Sequence, residues 1–182
     1  MSEPMVPAVP AGHEDPTRPT PERQGRVVVI TYNHIADAIV KIADVVRRPT
    51  VVLDHRTSDQ ADKPTTVVTS EPATWLAEHP LGPDDALVFC DHDAPGTLDL
   101  LRDALTGKAG YVAMMGSRRR AESVFTTLLD ESFDADTLAR LHVPAGLNVG
   151  GKAAGEIALS VVAEIVATSY GRDGGPMKRT AS

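Results

Sequence analysis

Short apolar runs alternate with amphipathic stretches along most of the chain. The runs have the length of β-strands and lack the polar alternation of a half-exposed strand. We predict five strands, over residues 27–30, 50–53, 65–69, 86–89 and 111–114. After the first run, Ile35, Ile39, Ile42 and Val46 recur at the spacing of one helix face, and Pro49 follows them. Unbroken apolar strands separated by helices predict an α/β fold with a doubly wound, mostly parallel sheet of Rossmann-like type.

Helical periodicity dominates the final third of the sequence. We predict a helix with an apolar face at Ala121, Val124, Phe125 and Leu128, a short helix over 134–141, and a last helix with a face at Ile157, Val161 and Ile165. Amphipathic helices normally bury such a face, so we interpret these stripes as core packing rather than as a partner groove.

Both ends of the chain differ in composition from the centre. Residues 1–24 contain six prolines and no long apolar run, and residues 171–182 are also polar. Segments of this kind cannot bury enough apolar surface to offset the entropy of ordering, so we expect both to be disordered tails. The predicted domain therefore spans residues 25–170.

Bulk composition excludes several classes of function. The net charge of −7 argues against nonspecific binding to nucleic acid or to an anionic membrane surface. No apolar stretch is long enough to span a membrane, and the N-terminus does not resemble a secretory signal. The single cysteine, Cys90, rules out a disulfide within the chain and favours a cytoplasmic location.

Ligands of doubly wound sheets bind beyond the carboxyl ends of the strands, so the loops after the strands hold the candidate site residues. A dinucleotide-binding fold places glycines after its first strand, whereas this chain has Thr31 and Asn33, followed by His34. Asp54, after the second strand, lies 23 positions beyond Thr31, where such folds place an acid that binds ribose. Asn33, His34 and Asp54 are therefore candidate cofactor-binding residues, and a solvated loop acid is the alternative for Asp54.

The loop after the fourth strand contains Cys90, Asp91, His92 and Asp93. A metal centre needs three or four converging ligands, and no paired Cys or His motif occurs elsewhere in the chain. We therefore expect no metal here, and place His92 at the polar rim of a ligand pocket. Cys90 is expected to be a core residue at the end of its strand.

The loop after the fifth strand is the most informative segment. Gly116 permits a sharp turn, Ser117 is a good helix N-cap, and Arg118, Arg119 and Arg120 occupy the first helical turn. Cations at that position oppose the helix dipole, whereas free amides and guanidinium groups together suit a phosphate or carboxylate. The segment predicts a site for an anion or a partner protein. A solvated basic helix start is the other interpretation.

Two blocks of the sequence resemble the XdhC/CoxI family. The segment YVAMMGSRRR at 111–120 is similar to that family's motif ending in GSRRR, and LARLHVPAGLNVG at 138–150 is similar to its LARLHAPIGLDIG. Residues 156–165 resemble its closing helix, and the similarity spans roughly 26–168. His34 and Ala36 also match the family's first loop.

The resemblance implies a Rossmann-like domain that assists xanthine dehydrogenase or carbon monoxide dehydrogenase and binds their molybdenum cofactor. It implies a molybdopterin-type cofactor, the large subunit of a molybdenum hydroxylase as partner, and a non-catalytic accessory role. The chain departs from the family at both first-loop glycines and at Asn148, which stands in place of an aspartate.

Two alternatives remain open at this point. One is an NAD(P)-linked oxidoreductase of a small substrate, suggested by the sheet pattern and Asp54. The other is a structural protein that binds no ligand and forms a homodimer through the last helix.

Overall fold

The computed structural model describes residues 25–56, 67–91 and 93–177, which form six strands and six helices. The strands are β1 (Val27–Ile30), β2 (Thr50–Leu53), β3 (Val67–Val68), β4 (Ala86–Phe89), β5 (Tyr111–Met114) and β6 (Leu141–His142). The helices are α1 (His34–Val45), α2 (Pro72–Glu78), α3 (Thr97–Thr106), α4 (Arg118–Asp130), α5 (Ala135–Leu138) and α6 (Ala154–Ser169).

All strand pairs in the sheet are parallel, and the strand order is β3-β2-β1-β4-β5-β6. The chain starts at β1, builds outward to β3, and then returns to β4 on the other side of β1. This reversal of direction makes the carboxyl ends of β1 and β4 the switch point at which doubly wound folds bind ligands. The predicted α/β fold with a Rossmann-like sheet is thus confirmed.

Successive residues of each strand supply the two faces of the sheet, because side chains alternate along a strand. Val27 and Val29 of β1 pack with helices α1 and α6 in one core cluster. Val28 and Ile30 pack in the other cluster, with helices α2, α3 and α4. All four of these side chains are at most 3% exposed, which explains why the strand reads as an unbroken apolar run.

The helical stripes are confirmed as core contacts. Ala121, Val124 and Leu128 of α4 are buried, and Val161 and Ile165 of α6 are at most 2% exposed. The helices therefore bury the faces that their periodicity indicates. Within the described ranges, none of the helices has the length and apolar character that a membrane span requires.

The predicted helix over 134–141 is wrong in its second half. Asp134 caps a single helical segment that ends at Leu138, and Leu141 and His142 then form β6 beside β5. Pairing with an existing sheet edge overrides the local helical pattern. Part of the predicted third strand (65–66), the tail 1–24 and residues 178–182 lie outside the described residues.

Candidate functional site

The loops after β1, β2, β4 and β5 meet at one edge of the sheet, because the four strands are parallel and in register. This carboxyl edge brings Asn33, Asp54 and the segment 116–120 to the same side of the domain. His34 is also there, as the exposed first residue of α1. His92 lies outside the described residues, so its place at the rim stays a prediction.

Asn33 occupies the start of α1 with its own side chain. Its Oδ1 accepts hydrogen bonds from the backbone amides of Ile35 and Ala36, both at 2.9 Å. Its Nδ2 donates to the carbonyl of Cys90 at 3.0 Å, which ties the first loop to the end of β4. In a dinucleotide fold, the amides at this helix start bind the diphosphate. Here two of them already have an internal acceptor.

Thr31 takes the backbone conformation of a glycine. Its φ is +76°, in the left-handed region that a β-branched residue rarely adopts, and its side chain is buried. The loop therefore makes a turn that ordinarily favours glycine, with a larger residue at the position. This tight turn strains the backbone at Thr31.

Asp54 is a buried carboxylate whose oxygens already have donors. Oδ1 accepts from the amide and the Nε of Arg56, at 3.0 and 2.9 Å, and Oδ2 accepts from the Tyr32 amide at 3.1 Å and an Arg56 guanidinium nitrogen at 2.9 Å. Burial raises the pKa of Asp54, but these hydrogen bonds outweigh it and bring the pKa to about 2. The carboxylate is 2% exposed, so a ribose hydroxyl would have to replace an internal donor.

Arg56, which the sequence interpretation missed, crosses the carboxyl edge. Besides its bonds to Asp54, its guanidinium donates to the carbonyl of Tyr32 at 2.8 Å and lies 3.8 Å from the carboxylate of Asp91. It therefore links the loops that follow β2, β1 and β4. No spacing or motif distinguishes this arginine from any other polar loop residue in the sequence.

Cys90 is confirmed as a strand-end core residue. Its side chain is 6% exposed, and burial raises the pKa of its thiol to about 12, with the nearby Asp91 charge adding to the effect. The thiol therefore stays protonated at neutral pH and is a poor nucleophile.

The turn between β5 and α4 presents two arginines to solvent. Ser117 caps the helix as predicted, its hydroxyl accepting the Arg120 amide at 3.2 Å. Arg118 and Arg119 follow, and both are exposed. Gly116 serves close packing here, since a Cβ at that position would lie 3.3 Å from the Cβ and Cγ of Arg120.

Arg120 differs from its two neighbours because it turns back toward the sheet. It is partly buried, and one guanidinium nitrogen lies 3.5 Å from a carboxylate oxygen of Asp93, in the loop after β4. The first turn of α4 thus combines two solvent-facing cations with a third that has an internal counter-ion. A phosphate or carboxylate group is the chemistry that this arrangement suits.

Comparison with known proteins places the fold and the motifs in a family. The family described as the XdhC Rossmann domain matches residues 27–165. The uncharacterized protein YqeB of Escherichia coli (strain K12) is 28% identical over 160 residues, which cover 85% of this chain and 29% of that protein. A probable xanthine dehydrogenase subunit of Bacillus subtilis (strain 168) is 28% identical over 122 residues, covering 65% of this chain and 35% of that protein.

A solved structure agrees with the fold. A crystal structure from Bacillus halodurans, described as a xanthine dehydrogenase, superposes with a TM-score of 0.66 at 24% identity, and the alignment covers 82% of this chain and 44% of that one. The chain thus spans about a third of the length of the two curated relatives. Because the family match includes all six strands and most of α6, this chain belongs to the XdhC Rossmann domain family.

Proposed function

We propose that this chain is an accessory factor for a molybdenum hydroxylase of the xanthine or carbon monoxide dehydrogenase type. In this role it holds the molybdenum cofactor, or docks on the enzyme, while the enzyme matures. Family membership and the name of the Bacillus subtilis relative support the association with such an enzyme. The large subunit of the hydroxylase is the proposed partner.

The proposal rests on the first turn of α4. Arg118 and Arg119 are exposed beside the amides of a helix of 13 residues. Each cation near a helix N-terminus is unfavourable by about 0.3–1 kcal/mol, and a bound anion reverses the sign of that interaction. The molybdenum cofactor carries a terminal phosphate, and the proposed site binds this group through Arg118, Arg119 and the amides after Ser117.

The donor sets of the two helix starts favour α4 over α1 for this phosphate. At α1, the amides of Ile35 and Ala36 both donate to Asn33, and no arginine belongs to the first turn. At α4, the Ser117 hydroxyl accepts the Arg120 amide, and the guanidinium groups of the first turn add donors. This contrast argues against an NAD(P)-linked reductase that binds its diphosphate at the first loop.

The proposed chemistry of the chain is binding and orientation. The cofactor supplies the redox-active metal when it is bound to the hydroxylase. Arg118 and Arg119 neutralise the phosphate, Ser117 fixes the helix start, and Asp54 with Asn33 holds the neighbouring loops in place. The chain itself transfers no group in this proposal.

A pair of charge-matched variants tests the proposal. The chain is purified from cells that make the cofactor, and bound pterin is released, oxidised and measured by fluorescence. We expect pterin with the wild-type chain and at least a tenfold loss in R118Q/R119Q. The control K108Q/R172Q removes two exposed cations near the amino edge of the sheet and should retain the wild-type amount.

Equal pterin in both double variants would remove the arginines from the site. Absence of pterin from the wild-type chain, together with no effect of the chain on hydroxylase maturation, would overturn the accessory role. The alternative of a homodimer through α6, where Leu159 is 53% exposed, is checked separately by the mass of the chain in solution.

A further inference from the structure

Two arginine–aspartate pairs at the carboxyl edge of the sheet differ in strength. One pair joins Arg56 to Asp54, and the other joins Arg120 to Asp93. Both arginines are partly exposed, at 46% and 36% of the side chain. The two pairs differ in the exposure of their carboxylates.

The first pair is held together by a buried carboxylate. Asp54 is 2% exposed, and it holds Arg56 through two side-chain hydrogen bonds of 2.9 Å. Arg56 also donates to the carbonyl of Tyr32. Removing this carboxylate from its arginine would leave a buried charge without its main donor, which proteins avoid. Arg56 therefore stays with Asp54 whether or not a ligand is present.

The second pair is longer, and its carboxylate is far more exposed. Asp93 is 72% exposed, and its carboxylate lies 3.5 Å from Arg120. A carboxylate this exposed is well hydrated, so turning it out into solvent requires little desolvation of other groups. Arg120 directly follows Arg118 and Arg119, so an anion at the first turn of α4 lies next to this ion pair in sequence and in space.

We propose that Asp93 is the exchangeable counter-ion of the α4 anion site. It holds Arg120 when no ligand is bound, moves aside when a phosphate group binds, and pairs with Arg120 again when the phosphate leaves. This inference rests on the proposed function, and it gives an accessory factor a means of release. The internal carboxylate competes with the cargo for one arginine, so binding stays weak enough to be reversed.

Titration with inorganic phosphate at low ionic strength, followed by calorimetry, tests the proposal. An exposed ion pair contributes up to about 1 kcal/mol, so D93N should bind phosphate about two- to fivefold more tightly than the wild-type chain. The control D103N removes an exposed acid from the last turn of α3, away from the site, and should not match this increase.

A double-mutant cycle assigns the effect to Arg120. In an R120Q background, D93N should add no more tightening than D103N does, because the arginine for which Asp93 competes is gone. Circular dichroism of each variant confirms that it is folded, which an exposed substitution should permit.

The outcomes separate this inference from the function on which it rests. If the wild-type chain binds phosphate and D93N binds it no more tightly than D103N, the counter-ion role is wrong and the anion site stands. If neither the wild-type chain nor D93N binds phosphate, both proposals fail.

Discussion

Replacing Asp54 with asparagine tests whether the buried carboxylate organises the carboxyl edge. In the wild-type chain it accepts hydrogen bonds from the Tyr32 amide and from three nitrogens of Arg56. An asparagine offers one acceptor oxygen, and its NH₂ group faces donors. The first loop and the loop after β2 should therefore lose their common acceptor.

The expected loss of stability follows from the pKa of Asp54. Folding shifts the pKa of this carboxyl from 3.8 to about 2. At 1.36 kcal/mol per pH unit, the shift corresponds to about 2 kcal/mol of stability at neutral pH. An unsatisfied buried donor costs about 1–3 kcal/mol, which gives the same order of magnitude. We expect D54N to lower the free energy of unfolding by about 2–3 kcal/mol.

Urea unfolding at several pH values provides the assay. Because the pKa is lowered by folding, the contribution of Asp54 is complete above about pH 5 and falls as the pH drops toward 2. The difference between the wild-type chain and D54N should shrink to roughly half by pH 3. The control D37N breaks a surface ion pair with Lys41 on α1 and should cost about 0.5 kcal/mol or less.

The reasoning would be refuted if D54N changed stability no more than D37N, or if its effect were independent of pH between 5 and 3.

Three further substitutions and one control, G150A, test the backbone and the network behind the site, each by urea unfolding. T31G should change the stability by less than about 1 kcal/mol, because relief of the positive φ offsets the loss of a buried side chain and the added backbone entropy of glycine. A loss of more than about 2 kcal/mol would contradict the strain. G146A should lower the free energy of unfolding by more than about 2 kcal/mol, because the new Cβ would lie 2.3 Å from the Ser160 Oγ. The control G150A places a Cβ in open space at another positive φ, and should lower it by about 1 kcal/mol. E164Q should cost about 1–3 kcal/mol, since this carboxylate accepts from Tyr111 and from the Gly146 amide, and a neutral result would refute that role.

The order and type of the elements could be predicted from the sequence because their signals are local. The apolar runs of β1, β4 and β5 have the predicted bounds in the structure. β6 could not be predicted in this way, because a strand of two residues is too short to show a hydrophobic period. Leu141 and His142 form a strand only because the edge of β5 is available to them.

The residues of the candidate site also differ in whether local sequence could predict their roles. Ser117 as N-cap and the exposed Arg118 and Arg119 follow from their position after a strand, and these could be read from the sequence. The ion pair of Asp54 and Arg56 could not be predicted from the sequence, because it depends on an arginine side chain that folds back over two neighbouring loops. The sequence pointed to Asp54 as a ligand-binding acid, and the structure shows the internal donors that now occupy it.

The most direct test of the central claim is to locate a bound phosphate. Backbone amide signals of the ¹⁵N-labelled chain are followed by NMR during titration with inorganic phosphate. We predict that the largest shifts fall on the amides of 117–120, at the start of α4. Shifts concentrated instead on 31–36, at the start of α1, would contradict the account and restore the dinucleotide interpretation.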